Sequence, residues 1–122
     1  MSKRRRLSSI DIRRLLTGHS GFLGVFPINR VKNVNPPKHV SVSFIANLQS
    51  ENLPGNHWVA IRRTSDNVGL YFDSFGRVPP LEIQNWFMKH SSRWAHNKLI
   101  LQKDSDNVAC GYLCIKFVKN KF

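Results

Sequence analysis

Alternating hydrophobic and polar positions along the chain predict a small β-sheet. The clearest case is HWVAIRR (57–63), which the short polar turn TSDN (64–67) separates from VGLYFD (68–73). Two alternating runs rich in β-branched and aromatic residues, joined by so short a turn, predict an antiparallel hairpin. The same kind of pattern predicts three further strands, in FLGVF (22–26), VSVSFIANL (40–48) and KLILQ (98–102).

Apolar residues at helical spacing predict three helices. The first covers residues 8–17, where Ser8 and Asp11 have the three-residue spacing of a capping box. The second covers residues 80–90, and its apolar positions recur on one face. The third covers residues 108–118 and is apolar along most of its length.

The order of these elements predicts an α+β fold, with a small central, mostly antiparallel sheet and flanking helices. Residues 28–38 are expected to form a loop, because the consecutive prolines at 36 and 37 interrupt regular structure. We divide the chain into a basic N-terminal segment with a short helix, residues 1–18, and a compact domain, residues 19–122.

Length and composition narrow the class of protein. A chain of 122 residues, 41% of them hydrophobic, can form one domain with one core. No run approaches the ~20 apolar residues of a membrane helix, and no apolar stretch follows the basic N-terminus as it does in a secretory signal. We therefore expect the protein to reside in a reducing compartment. We also expect it to be a monomer and to have no membrane partner.

A large excess of positive charge predicts an affinity for polyanions. The net charge is +12, from 19 Lys and Arg against 7 Asp and Glu, and nucleic acid is the first candidate partner. The N-terminal region contains a dense basic cluster that only Asp11 interrupts, formed by Lys3, Arg4, Arg5, Arg6, Arg13 and Arg14. This cluster fits a nuclear-import signal or an arm that binds phosphates, and it equally fits a basic tail that only aids solubility.

Two polar residues at the ends of the predicted hairpin could form half of a catalytic site. His57 opens one strand and Asp73 closes the next, so we expect the two side chains to be neighbours across the strand pair. A carboxylate that accepts a hydrogen bond from an imidazole fixes its tautomer and raises its basicity. Taken singly, His57 could also be a packed polar residue, and Asp73 could cap a turn.

The motif DNVACGYLC (106–114) contains both cysteines of the chain. Cys110 falls near the predicted start of the last helix, where backbone N–H groups and the helix dipole favour a thiolate. Gly111 beside it permits close approach of backbone or substrate. An oxyanion donor could come from Gln102, with Asn107 as a second candidate. The alternative is that Cys110 is an ordinary buried thiol, as we expect for Cys114.

The sequence gives little support for a disulfide between the cysteines or for a metal site formed by the cysteines and histidines. A Cys110–Cys114 disulfide would strain a helix and close almost no loop. The histidines outside the hairpin show no spacing typical of zinc ligands, at positions His19, His39, His90 and His96. We therefore predict no metal site.

In order along the chain, GNHWVAI, YFDSFG, a Gln and ACGYLC resemble the motifs of the adenovirus protease (adenain) family, which shares a clan with SUMO-deconjugating cysteine proteases. FLGVFPINR is similar to the opening segment of that family. The resemblance spans residues 21–118 and implies a papain-like cysteine protease core. It assigns Cys110 as nucleophile, His57 as general base and acid, Asp73 as its orienting carboxylate and Gln102 as oxyanion donor. It also implies that Trp58 and Gly111 border a substrate groove.

The chain departs from the family pattern at several points. Adenain has Glu at the position of Asp73, and SUMO-deconjugating proteases have Asp. The spacing from Gln102 to Cys110 is slightly longer than in adenain. The chain ends soon after the nucleophile helix, and no cysteine precedes Cys110 to anchor a disulfide-linked peptide cofactor.

The resemblance implies a cysteine endopeptidase that processes viral precursor polypeptides during particle maturation, in the host nucleus and the virion. Such an enzyme requires no cofactor, although DNA could act as a stimulating polyanion. Two alternatives remain at this point. One is a deconjugase that cleaves a ubiquitin-like tail, and the other is a non-catalytic, basic nucleic-acid-binding protein on the same scaffold.

Overall fold

A computed structural model describes residues 5–49, 57–101 and 109–121. These ranges contain three α-helices, α1 (Ser9–Leu16), α2 (Leu81–His90) and α3 (Ala109–Val118), and a 3-10 helix (Ile28–Asn33). They also contain five strands, β1 (Phe22–Pro27), β2 (Val42–Asn47), β3 (Trp58–Arg63), β4 (Val68–Phe72) and β5 (Arg93–His96). None of the helices in these ranges has the length and apolar character needed to cross a bilayer.

The five strands form one sheet in the order β1-β2-β3-β4-β5. The α+β class with flanking helices is confirmed, and the central pairs β2–β3 and β3–β4 are antiparallel. The two edge strands differ from the expectation, because β1 and β5 each run parallel to their neighbour. A parallel pair needs a crossover connection; the 3-10 helix and the following loop lie between β1 and β2, and α2 lies between β4 and β5.

The prediction of a strand at residues 98–102 was wrong for residues 98–101, and residue 102 lies outside the described residues. The last strand is β5, which pairs with β4 through contacts such as Leu70 with Ala95. Residues 98–101 have no strand or helix structure, and Leu99 and Ile100 are 74% and 71% exposed. Three consecutive apolar residues at 99–101 favoured a strand there. The strand that pairs with β4 is instead the less apolar segment RWAH (93–96). The expected loop at 28–38 also begins with a 3-10 helix, which buries Ile28 and Val31.

The sheet is buried on both faces. Along β3 the side chains alternate, so that Trp58 and Ala60 join one core cluster while Val59 and Ile61 join the other. Helices α1 and α3 cover the first face, and α2 with the 3-10 helix covers the second. This arrangement places the start of α3 beside the start of β3.

Helix α1 begins with the expected capping box. The Ser8 hydroxyl accepts a hydrogen bond from the Asp11 backbone N–H at 3.2 Å, and the Asp11 carboxylate accepts one from the Ser8 N–H at 2.9 Å. The buried residues Ile12 and Leu16 then pack α1 into the same core cluster as α3. Helix α1 and the segment before it are therefore joined to the face of the sheet that carries Cys110.

Candidate active site

His57 and Asp73 are in direct contact at one end of the central hairpin. The antiparallel register pairs Ala60 with Phe72, so the residue before β3 lies diagonally across from the residue after β4. His57 Nε2 and Asp73 Oδ1 are 2.7 Å apart, and the two side chains are 13% and 0% exposed. The contact that the strand pattern led us to expect is present.

Asp73 is positioned through one carboxylate oxygen and through its backbone. Oδ1 also accepts a hydrogen bond from the Phe75 backbone N–H at 2.9 Å, whereas Oδ2 is buried and has no hydrogen-bond partner among the described residues. The side chain of Asn97 fixes the backbone of Asp73, since its Oδ1 accepts from the Asp73 N–H at 2.9 Å and its Nδ2 donates to the Asp73 carbonyl at 2.6 Å.

The turn after Asp73 packs against the imidazole of His57. Gly76 has φ +69 and donates its N–H to the Asp73 carbonyl at 2.8 Å, and a Cβ at this position would approach the Lys98 carbonyl to 2.8 Å. A residue other than glycine would be strained there. The turn places the ring of Phe75 5.0 Å from the ring of His57. One side of the imidazole is thereby shielded from water.

Cys110 is the second residue of α3 as described, and it is 1% exposed. Burial raises the pKa of its thiol, but the hydrogen bond with His57 and backbone hydrogen bonds from Trp58 and Gly111 outweigh that effect and lower the pKa below its usual value. Since Nε2 of His57 is engaged by Asp73, the other ring nitrogen is left for Cys110.

The pKa of His57 changes in the opposite direction. Burial lowers it, but the hydrogen bonds to Asp73 and Cys110 and the attraction of both negative charges raise the pKa to about 9. A thiol with a lowered pKa beside an imidazole with a raised pKa favours a thiolate–imidazolium pair at neutral pH. Cys114, one turn further along α3, is fully buried, and burial raises the pKa of its thiol well above the usual value. Both cysteines are free thiols.

Trp58 and Gly111 lie under the chain segment that precedes α1. The indole N–H of Trp58, a residue 4% exposed, donates to the Leu7 carbonyl at 3.1 Å. A Cβ on Gly111 would lie 3.3 Å from both Leu7 and Trp58, so glycine permits this close packing. The Tyr112 hydroxyl donates to the Arg5 carbonyl at 2.9 Å. Trp58 and Gly111 are therefore buried, and their expected role at a substrate groove stays a prediction.

The expected oxyanion donors, Gln102 and Asn107, lie outside the described residues. The described ranges contain no candidate metal site, because no three His, Cys, Asp or Glu side chains there lie close enough to bind one ion.

The basic N-terminal cluster is partly engaged in contacts within the chain. Lys3 and Arg4 lie outside the described residues. Arg5 forms a two-pronged ion pair with Asp11, and this hydrogen-bonded pair holds the pKa of that carboxyl well below its usual range. Arg13 donates to the Val25 carbonyl at 3.0 Å. The side chains of Arg6 and Arg14 are exposed, and the predicted binding of nucleic acid by this cluster stays a prediction.

Sequence reasoning missed Asn97, Phe75 and Leu7. Phe75 entered only as part of the motif YFDSFG, although an aromatic residue two positions after a candidate catalytic Asp is a usable signal. Asn97 and Leu7 had no signal, because each reaches the site from a distant part of the chain.

We expect Asn97→Ala to lower the pKa of His57 below about 9, because the backbone of Asp73 loses the amide that holds its carboxylate in line with Nε2. Loss of these hydrogen bonds should also lower the free energy of unfolding by about 1–3 kcal/mol. The His57 titration can be followed by NMR of its ring protons. Asn85→Ala, at an exposed position of α2, is the matched control. An unchanged His57 titration in Asn97→Ala would show that Asn97 does not position the carboxylate.

Comparison with known proteins reveals similarity in fold. No protein-family model matches the chain, and no curated protein matches it in sequence. Two solved structures of the ASFV pS273R protease superpose with TM-scores of 0.66 and 0.64 at 15% and 16% identity, covering 94% of this chain. The central domain of the uncharacterized Lpg1148 protein from Legionella pneumophila superposes with a TM-score of 0.59 at 14% identity, covering 97% of this chain and 76% of that one.

The chain spans about 59% of the length of the ASFV protease that it matches. At these identities the likeness shows a shared fold. The fold is that of the α+β class expected from the sequence, while the resemblance to the adenain family stays a prediction.

Proposed function

We propose that the chain is a cysteine endopeptidase in which Cys110 is the nucleophile. The observation that carries the proposal is the continuous hydrogen-bonded run from Asp73 through His57 to Cys110, together with the lowered pKa of the thiol. An ordinary buried cysteine has its pKa raised, as Cys114 does. The two thiols lie one turn apart on the same helix, so the difference between them comes from His57 and from the backbone donors of Trp58 and Gly111.

The proposed reaction begins with attack of the Cys110 thiolate on the carbonyl carbon of the scissile peptide bond. The backbone N–H of Cys110, with Gln102 as the side-chain donor expected from the sequence, stabilises the resulting oxyanion. The imidazolium of His57 then protonates the leaving amine, and the C–N bond breaks to leave a thioester. Water, deprotonated by the neutral His57, attacks the thioester, releases the carboxylic acid and regenerates the thiolate–imidazolium pair.

Asp73 orients His57 throughout this cycle. Because Nε2 is held by a carboxylate that is 0% exposed, the ring keeps its other nitrogen directed at Cys110 in both protonation states. The charge of Asp73 also stabilises the imidazolium on which protonation of the leaving amine depends.

We propose viral or virus-like precursor polypeptides as substrates, with the host nucleus and the virion as the places of action and DNA as a stimulating polyanion. The adenovirus-type motifs, the net charge of +12 and the fold shared with the ASFV pS273R protease support this part of the proposal. The charge is compatible with DNA binding whether or not the chain is a protease.

Peptide cleavage tests the proposal directly. The purified protein and its Cys110→Ala variant are incubated with a peptide library derived from a whole proteome, and new N-termini are mapped by mass spectrometry. We expect cleavage at a restricted set of motifs by the wild type and none by Cys110→Ala, with equal thermal unfolding of the two proteins. Cleavage only after the terminal Gly-Gly of a ubiquitin-like fusion would instead favour the deconjugase. Identical product patterns from the two proteins, or none from either, would contradict a Cys110-dependent peptidase.

A further inference from the structure

A basic cavity lies at the end of β3 opposite to His57. Its volume is about 640 Å³, and its walls come from the loop before β2, the end of β3, the β3–β4 turn and the end of α2. Half of the residues that line it carry basic side chains: Lys38, His39, Arg63, Lys89 and His90. None of the lining residues is Asp or Glu. Three of these four segments thus bring basic side chains to one concave surface that has no carboxylate in its lining.

The guanidinium of Arg63 is buried beneath this cavity. Arg63 is 3% exposed, and its side chain donates hydrogen bonds to two neutral acceptors, the carbonyls of Pro37 at 2.6 Å and Val40 at 3.0 Å. Its Nε is buried and has no hydrogen-bond partner among the residues that the structure describes. Within residues 5–49, 57–101 and 109–121, no carboxylate forms an ion pair with Arg63. A buried cation without a counter-ion is unfavourable, so an anion bound in the cavity would stabilise the Arg63 guanidinium.

His90 provides a second, independent group that could bind an anion in this cavity. Its Nε2 is buried and has no hydrogen-bond partner in the described part of the chain. Burial lowers the pKa of His90, and the positive charges of Lys89 and Arg63 lower it further. The ring lies 4.7 Å from the ring of Trp86, so its orientation is set by packing. An anion in the cavity would reverse the electrostatic part of this shift.

We propose that this cavity binds a phosphate group. Phosphate offers several acceptor oxygens and up to two negative charges, which suits cationic donors that converge from different directions. The group can belong to a free polyphosphate compound or to the backbone of a nucleic acid. Its site is separate from the proposed catalytic residues, because Arg63 and His57 lie at opposite ends of β3. The site therefore holds whether or not the chain is a peptidase.

Binding of tripolyphosphate to the whole chain tests the site. The variant Lys38→Gln/Lys89→Gln removes two exposed ammonium groups from the rim and leaves the buried Arg63 in place, so the fold should be retained. We expect the Kd measured by calorimetry to rise about tenfold or more, since hydrogen bonds between charged groups are lost. In the wild type, tripolyphosphate should also raise the pKa of His90, measured by NMR of its ring protons.

The matched control is Lys116→Gln/Lys119→Gln. It removes the same net charge from α3 and the residue after it, on the other face of the sheet. We expect a change in Kd of less than about twofold, because neither lysine lines the cavity and their long-range attraction for the ligand is weakened by salt. Equal weakening by the two double variants, or an unmoved His90 titration at saturating tripolyphosphate, would overturn the proposal.

A short single-stranded oligonucleotide separates the two sources of the phosphate. If the Lys38→Gln/Lys89→Gln variant loses affinity for the oligonucleotide as well as for tripolyphosphate, the cavity accepts a nucleic-acid backbone. If only tripolyphosphate binding is weakened, the ligand is a free phosphate compound. Both results support a phosphate site, whereas full retention of both affinities would exclude one.

Discussion

Iodoacetamide will alkylate Cys110 at pH 6 at least about a hundredfold faster than Cys114, because only the thiolate is nucleophilic. The two thiols differ in the direction of their pKa shifts. Hydrogen bonds from His57 and from the backbone lower that of Cys110, while complete burial raises that of Cys114. A small reagent is needed, since Cys110 is 1% exposed and covering atoms must move to admit an electrophile. Adducts can be assigned to each cysteine by mass spectrometry over a time course.

The variant His57→Ala provides the mechanistic control for this experiment. Without the imidazolium, burial dominates the pKa of Cys110 and the thiol is protonated at pH 6. The labelling rate of Cys110 should then fall by about a hundredfold, while that of Cys114 stays as it was. In denaturant the two cysteines should react at similar rates in both proteins. Labelling of Cys110 that is slow and indifferent to His57 would mean that the thiol is an ordinary one, and the endopeptidase proposal would lose its nucleophile.

The contact between His57 and Asp73 could be predicted from the sequence because its causes are local. The turn TSDN is short enough to set the register of the hairpin, and that register alone brings the residue before β3 near the residue after β4. The capping box of α1 was predictable for the same reason, since Ser8 and Asp11 are three residues apart. These features depend on interactions within one turn or one hairpin.

The features that sequence reasoning missed depend on distant contacts. Asn97 accepts a hydrogen bond from the backbone of Asp73, which is 24 residues away in the sequence. The Leu7 carbonyl accepts a hydrogen bond from the indole N–H of Trp58, which is 51 residues away. The position of β5 depends on the free edge of β4, and nothing in the hydrophobicity of residues 93–96 favours them over the more apolar run at 99–101. Parallel pairing at both edges likewise follows from how the crossovers pack on the sheet.

Asp73→Asn will lower kcat for peptide cleavage by about a hundredfold to ten-thousandfold. The amide is nearly isosteric with the carboxylate, and its oxygen can still accept hydrogen bonds from the His57 ring and the Phe75 N–H, which now reach it at 2.7 and 2.9 Å. What disappears is the negative charge that stabilises the imidazolium. The loss should therefore fall on kcat, while the fold is retained.

The pH profile distinguishes this electrostatic role from a merely structural one. In the wild type, activity should fall at low pH as Cys110 is protonated, and at high pH as His57, whose pKa is raised to about 9, loses the proton that the leaving amine needs. The attraction of Asp73 raises the pKa of His57, so its removal must move the alkaline limb to lower pH, by about one to three pH units. The acid limb, which reports Cys110, should move upward because the imidazolium that lowers the pKa of the thiol is less stable.

Asp66→Asn is the matched control, since it makes the same chemical change at an exposed carboxylate in the β3–β4 turn. We expect its pH profile and kcat to be those of the wild type. A profile for Asp73→Asn whose limbs coincide with those of the wild type, even with reduced kcat, would mean that Asp73 acts only by holding the turn after β4. A narrowed profile with both limbs displaced toward each other would establish that its charge maintains the thiolate–imidazolium pair.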